Sequence, residues 1–159
     1  MNSAKMATRK PLISTAALAA FERGEKCFGD EDYEGAVKEF SEAIGLDPYF
    51  AAAWNERGLA CHIRGEFAAA VSDYTEALKL VHVSGAGEAN EVKALLLARR
   101  GEAYAGLERS DDAIRDFNEA VELDPKFADF YVGRALTGIV STFARTGKIS
   151  RKNFNGCQP

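Results

Sequence analysis

The most constraining feature of this sequence is a pattern that occurs three times. Five columns of residues recur at the same offsets, 34 residues from the first copy to the second and 43 from the second to the third. The columns are Gly24, Gly58 and Gly101; Ala36, Ala70 and Ala113; Phe40, Tyr74 and Phe117; Ala43, Ala77 and Ala120; and Leu46, Leu80 and Leu123. A fixed period of this length predicts stacked supersecondary units, with one insertion before the third copy.

Each copy predicts two helices joined by a short turn. The Ala, aromatic, Ala and Leu columns follow one another at spacings of 4, 3 and 3 residues, which places them on one helix face. Gly65 marks a turn between the halves of the second copy, and we expect Ser110 to be the N-cap of the last helix. Pro48 and Pro125 each end one helix and start the next. Three stacked helix pairs share a core that one pair cannot form alone.

This pattern resembles the tetratricopeptide repeat (TPR), a helix–turn–helix motif with Trp, Gly, Tyr, Ala, Phe, Ala and Pro at fixed positions. Trp54 and Gly58 match it in the second copy, and Tyr104 and Pro125 match it in the third. The resemblance covers residues 17–127, with copies at 17–50, 51–84 and 94–127 and an insertion at 85–93. We expect one long helix from Glu88 onward, so that the insertion adds a loop and extra helical turns.

The resemblance implies an all-α fold, a right-handed α-solenoid of three TPR helix pairs with a C-terminal capping helix. Tyr131 and Ala135 continue the register for one more helix, so we predict the capping helix at 128–145. The flanking segments, 1–16 and 146–159, are basic and contain no acidic residue. We expect both to be flexible or disordered. The first also faintly resembles an organelle transit segment.

A column of arginines departs from the family pattern, which usually has Leu there. Its members are Arg23, Arg57, Arg100 and Arg134. We expect their stems to pack over neighbouring helices while their heads pair with acids of the chain. Contact with a partner through this column is the alternative.

Charge is distributed unevenly along the chain. All 24 acidic residues lie between Glu22 and Asp129, so an acidic middle stands between two basic ends. An acidic surface repels phosphate, which argues against nucleic acid as a partner.

No group of residues in the sequence indicates a catalytic, metal-binding or cofactor site. Cys27 and Cys61 share a core column, and the sequence has no C-x-x-C pair, so we predict buried thiols and no metal or cofactor. His62 lies on a different helix face from Cys61. No nucleophile elbow or phosphate loop occurs, and we predict no enzyme activity.

No apolar run reaches the roughly 18 residues of a membrane span, and free thiols favour a reducing, cytoplasmic location.

The family geometry implies a binding groove lined by the first helix of each pair. The predicted groove residues are Phe21, Glu25, Phe28, Asn55, Leu59, His62, Ile63, Leu95, Arg99 and Glu102. Leu18, Ala52, Ala98 and Gly106 occupy equivalent places. We expect the apolar members to hold the apolar side of a peptide or helix and Asn55 to hold its backbone. Alternatively, the N-terminal segment or the C-terminal helix fills this groove.

One class within the family holds the C-terminal carboxylate of Hsp70- and Hsp90-type chaperones through Lys, Asn, Asn, Lys and Arg. The matching places here hold Phe21, Glu25, Glu56, Leu95 and Arg99, of which only Arg99 agrees. The sequence therefore predicts an interaction adaptor or scaffold that is not a carboxylate clamp, with a basic and apolar protein partner. A self-assembling module, such as a homodimer or a fragment of a longer array, is the alternative.

Overall fold

The computed structural model describes residues 13–81 and 88–124. This part of the chain forms six helices and no strand. They are α1 (Thr15–Gly29), α2 (Tyr33–Leu46), α3 (Ala51–Ile63), α4 (Phe67–Val81), α5 (Glu88–Gly106) and α6 (Ser110–Leu123). Each odd-numbered helix packs on the next even-numbered one, and α2 and α4 pack on the first helix of the following pair. The predicted stack of three helix pairs is therefore confirmed.

The first helix begins earlier than expected. Its N-cap is Ser14, whose hydroxyl accepts a hydrogen bond from the Ala17 amide at 3.1 Å. Residues 15 and 16 are therefore helical, although the sequence analysis assigned them to a flexible segment. Residues 1–12, the predicted capping helix at 128–145 and the tail at 146–159 lie outside the described residues. The predicted long helix after the insertion is α5, which begins at Glu88.

The predicted cap of the last helix is wrong by one residue. Ser110 is the first helical residue, and Arg109 occupies the N-cap position without a side-chain cap. The turn explains this shift, because Glu108 adopts a left-handed conformation at φ 61° and so lets the helix start directly after Arg109. Asp112 in the first turn binds the Arg109 guanidinium at 2.6 Å instead.

All three turns within the hairpins use a left-handed residue at the same register position. These residues are Glu31 (φ 60°), Gly65 (φ 79°) and Glu108 (φ 61°). Glycine adopts this conformation freely, whereas an L side chain costs roughly 1–2 kcal/mol there. The hairpin geometry is therefore imposed by packing in two copies, and only the second copy carries a sequence signal for it.

The core is built from the recurrent columns. The Ala columns at positions 36, 70 and 113 and at 43, 77 and 120 are buried, as are the rings of Phe40 and Tyr74. The rings lie against the glycines, since a Cβ built on Gly24 would come within 2.5 Å of Phe40 Cε1 and one on Gly58 within 2.9 Å of Tyr74 Cε1. The small columns thus let two helices of a pair approach closely, as expected.

The arginine column connects the helix pairs. Arg57 Nε and Nη2 bind both carboxylate oxygens of Asp73 at 2.8 and 2.7 Å, and Arg57 Nη1 donates to the Ser41 hydroxyl of the preceding pair at 3.0 Å. In the third copy, Arg100 binds Asp116 and Thr75 in the same way.

In the first copy, Arg23 reaches Glu39 at 2.6 Å and Glu42 at 3.0 Å. The expected pairing with acids is confirmed for these three arginines, and Arg134 lies outside the described residues.

Candidate functional site

The ten predicted groove residues lie on the first helices of the three pairs, α1, α3 and α5. We call these ten residues, together with Leu18 at an equivalent place on α1, the groove surface. Ile63 is 46% exposed and Glu25 is also exposed, whereas the other eight are partly buried. Leu18, two turns before Glu25 on the same face of α1, is 42% exposed. The surface therefore presents apolar and acidic side chains side by side.

The aromatic members of the groove surface also belong to the core. The Phe21 ring packs against Phe40 at a centroid distance of 5.4 Å and against Phe50 at 4.8 Å. The Phe28 ring meets Tyr33 edge-on at 5.2 Å. Both rings consequently fix the first helix pair and offer only part of their surface to a ligand.

A polar network joins α3 to α5 within the groove surface. Arg99 Nη1 donates a hydrogen bond to Asn55 Oδ1 at 2.8 Å, and Asn55 Nδ2 donates to Glu56 Oε1 at 2.7 Å. The same guanidinium nitrogen lies 3.6 Å from Glu56 Oε1. We call this network the Asn55–Arg99 bridge. It pairs the Arg99 guanidinium with Asn55 and Glu56 and holds the Asn55 amide in place across the two helices.

The ring of Tyr74 on α4 packs against Gly58 of α3. Its side chain is completely buried, and no group within residues 13–81 and 88–124 forms a hydrogen bond with the hydroxyl. Burial raises the pKa of Tyr74 above its ordinary value, the positive charge of Arg99 opposes that increase, and the carboxylates of Glu102 and Glu56 add to it.

The side chains of His62 and Cys61, near the end of α3, pack against other parts of the fold. The His62 ring meets Phe67 edge-on at a centroid distance of 5.3 Å. Cys61 is buried, and desolvation raises the pKa of its thiol to about 11. A thiol protonated at neutral pH is a poor nucleophile and metal ligand. Cys61 therefore behaves as the predicted core residue.

A cleft of about 330 Å³ lies on another part of the molecule, between α2, α3 and α4. It is lined by Val37, Ser41, Arg57, Cys61, Glu66, Ala69, Ser72 and Asp73. Its charged lining residues are all paired, Arg57 with Asp73 and Glu66 with Arg64.

The described residues offer no other obvious site. Residues 13–81 and 88–124 contain no cluster of three or more His, Cys, Asp or Glu that could hold a metal ion. None of the six described helices has the length and apolar character to cross a bilayer.

Comparisons with known proteins agree with this architecture. Sequence profiles of the tetratricopeptide repeat match residues 28–85 and 94–127. Tetratricopeptide repeat protein 36 of Xenopus tropicalis is 33% identical over 107 residues, which are 66% of this chain and 50% of that protein. RNA polymerase II-associated protein 3 of Mus musculus is 30% identical over 112 residues, or 70% of this chain and 16% of that protein. The chain thus spans half or less of the length of these two relatives.

Solved structures show the same arrangement of helices. The first TPR of Spaghetti (RPAP3), bound to the HSP90 peptide SRMEEVD, superposes with a TM-score of 0.68 at 27% identity. The match covers 82% of this chain and 95% of that one. The first TPR domain of human RPAP3 superposes with a TM-score of 0.66 at 26% identity, over 83% of this chain and 95% of that one. From the repeat profiles and the stacked helix pairs, we conclude that this chain belongs to the tetratricopeptide repeat family.

Proposed function

We propose that this protein is an interaction adaptor whose groove surface binds a basic and apolar segment of a partner protein. The observation that carries the proposal is the exposed combination of Leu18, Glu25 and Ile63 on the first helices. Partly exposed apolar side chains beside acids suit a ligand that buries apolar area and carries positive charge. The peptide-bound RPAP3 domain, which shares the helix arrangement, supports a peptide as the kind of ligand. The proposed role is binding and not catalysis.

The charge of this face favours a basic partner. Glu22 and Glu25 are exposed on α1, while the positive charge of Arg99 is offset by Glu56 at 3.6 Å. Complementary charge acts mainly on the association rate and on specificity, by disfavouring acidic competitors, and less on affinity. We therefore expect binding to weaken as salt concentration rises.

We further propose that the groove surface does not clamp a C-terminal carboxylate. Phe21 packs on Phe40 and Phe50 in the place of a clamp lysine. Glu25 and Glu56 put negative charge in the places of the two asparagines. Arg99, which does match, is already bound to Asn55. The carboxylates of Glu25 and Glu56 would repel an acidic peptide, and Arg99 is already hydrogen-bonded to Asn55. The binding of such a peptide would therefore be weak.

The test is a selection of peptides from a random display library on the whole chain. We expect the enriched peptides to combine Lys or Arg with apolar residues. Their affinity should fall at least about tenfold on the double variant Leu18→Ser and Glu25→Lys, which removes one apolar contact and reverses one charge. The matched control is Ile114→Ser with Glu122→Lys, which alters an exposed apolar and an exposed acidic residue of α6. Equal loss of affinity in both variants, or no enrichment at all, would refute binding through the groove surface.

The peptide SRMEEVD provides the second measurement. Its binding, followed by fluorescence anisotropy of a labelled peptide, should be at least about a hundredfold weaker than that of the selected basic peptides. Micromolar affinity that is lost in Arg99→Ala would show that the face is a carboxylate clamp after all.

A further inference from the structure

The cleft between α2, α3 and α4, which we call the α2–α4 cleft, has a counterpart one repeat later, between α4, α5 and α6. Arg57 binds Asp73 in the cleft at 2.7 Å. At the equivalent positions, 43 residues later, Arg100 binds Asp116 at 2.6 Å. Both arginines also donate to a hydroxyl of the preceding helix pair. Because the two interfaces share these contacts, the second one shows which groups the space in the first can hold.

An aromatic ring and a cation occupy the counterpart. The centroid of the Tyr104 ring lies 4.6 Å from Cζ of Arg109 and 5.8 Å from Cζ of Arg100. A guanidinium within about 6 Å of a ring centroid is attracted to the face of the ring. Arg109 also binds Asp112 at 2.6 Å, which holds its guanidinium in place. The third repeat thus closes its own interface with a tyrosine ring and a positive charge.

The α2–α4 cleft has smaller side chains at these positions. Cys61 stands in the place of Tyr104, and Ala69 stands in the place of Asp112. With a thiol where the third repeat has a ring, the cleft keeps a volume of about 330 Å³. Pockets that hold ligands measure roughly 300–1,000 Å³. An aromatic ring from another molecule therefore has space beside Cys61.

The charge along the cleft is reversed at one position. Glu66 stands in the place of Arg109. Its carboxylate binds Arg64 at 2.8 Å, but the two side chains are 44% and 31% exposed. An exposed ion pair contributes little to stability, so the cation of a ligand can replace Arg64. Since Arg57 and Asp73 offset each other, Glu66 gives the lining residues a net negative charge.

We propose that the α2–α4 cleft binds an aromatic side chain that adjoins a Lys or Arg in a partner protein. The ring lies beside Cys61 and the Arg57 guanidinium, as the Tyr104 ring lies near Arg100. The Lys or Arg of the partner pairs with the Glu66 carboxylate. The partner thus supplies the ring and the positive charge that the third repeat contains within itself. None of the lining residues belongs to the groove surface, so the cleft is a second contact site.

The test uses ¹⁵N-labelled whole chain and three N-acetylated, C-amidated dipeptides, Tyr-Lys, Ala-Lys and Tyr-Glu. The backbone amide signals of Ala69 and Ser72 are the readout, and those of Asp112 and Arg115, at the equivalent positions of the third repeat, are the internal control. We expect Tyr-Lys to give a saturable shift at the cleft with a Kd of about 1 mM or tighter. Ala-Lys lacks the ring and should give no shift. Tyr-Glu should bind at least about tenfold more weakly, because Glu66 repels its carboxylate.

Substitutions in the cleft locate the binding. Cys61→Tyr places the protein's own ring in the cleft and should abolish the shift caused by Tyr-Lys. Glu66→Gln should weaken binding about threefold, the contribution of one exposed ion pair. The matched control, Glu91→Gln, alters an exposed acid of α5 and should have no effect. If Cys61→Tyr does not fold, Ala69→Leu takes its place, because it lengthens an exposed side chain of the cleft and should also weaken binding.

Several results would overturn the proposal. They are no saturable shift at Ala69 and Ser72, equal shifts at Asp112 and Arg115, and equal affinity for Tyr-Lys and Ala-Lys. Unchanged binding in a folded variant with a filled cleft, or equal losses in the two Glu→Gln variants, would overturn it as well. The basic peptides selected on the groove surface should bind Cys61→Tyr as they bind the unmodified protein. Failure at the cleft would therefore leave the proposed function standing.

Discussion

At the scale of single residues, the glycine column carries the closest helix contacts. A Cβ on Gly24 would lie 2.5 Å from Phe40 Cε1 and 2.6 Å from Cδ1, and Phe40 is 1% exposed. A ring this well packed cannot rotate away cheaply. The absence of a side chain at Gly24 therefore matters for packing and not for backbone conformation.

We predict that Gly24→Ala destabilises the protein. Overpacking costs about 1–3 kcal/mol, which exceeds the gain of about 0.5–1 kcal/mol from replacing a helical glycine by alanine. Gly45→Ala is the matched control, because a Cβ there has no atom within 4 Å in the described structure, and this variant should gain stability. Urea unfolding measures both. A Gly24→Ala protein as stable as Gly45→Ala would contradict the packing argument.

At the scale of elements, the arginines of the first helices connect successive helix pairs. Arg57 of α3 binds Asp73 of α4 and Ser41 of α2, and Arg100 of α5 binds Asp116 of α6 and Thr75 of α4. Hydrogen bonding to the carboxylates raises the pKa of both guanidinium groups further, although burial opposes that increase. One side chain therefore fixes three helices, which defines the angle at which neighbouring pairs stack.

We predict that Arg57→Met lowers the free energy of unfolding by about 3–5 kcal/mol, because it leaves the carboxylate of Asp73 buried without its partner. The equivalent Arg23→Met should have a far smaller effect. The Arg23 side chain is 50% exposed, and exposed ion pairs are screened by water and salt.

Chemical denaturation of Arg57→Met and Arg23→Met, each against the unmodified protein, measures the two losses in the free energy of unfolding. Similar losses in both would show that the network at Arg57 contributes no more than a surface ion pair.

At the scale of the whole molecule, the core is unevenly divided among the repeats. The largest cluster of buried residues runs from Cys61 through α4 and α5 to Ala120, and it includes Leu96 and Leu97. Two smaller clusters lie between the first pair and α3. Trp54 and Val37 contact more than one cluster and so couple them. Stability of such an array depends on the interfaces between neighbouring repeats.

We predict that a chain ending at residue 81 does not unfold cooperatively. The truncation removes Leu96, Leu97 and Ala98 and so exposes the side of α4 that carries Tyr74 and Ala77. Two helix pairs would then keep the two smaller clusters whole and the largest cluster only in part, which is a marginal core for this length. Circular dichroism during urea unfolding should show one sharp transition for the whole chain and a broad, weak one for the fragment. A sharp transition with an unchanged midpoint in the fragment would contradict this view.

The groove surface illustrates how far the sequence leads toward a site. The resemblance to the family, carried over by repeat position, placed its residues on the first helices, because the 34-residue register assigns each position to one helix and one face. Register could not show that Phe21 packs on Phe50 or that Arg99 reaches Asn55, which lies 44 residues earlier. These contacts depend on how one pair sits against the next.

What the sequence determined by itself is the set of local features: the helix pairs, the close approach at the glycines and the arginine column. Each follows from spacing within a copy, which fixes side chains on one helix face. The tertiary structure alone decided the start of α6, the left-handed conformations of Glu31 and Glu108, and the burial of the Tyr74 hydroxyl. These features arise where separate helices meet, and there packing outweighs local preference because many weak contacts act together.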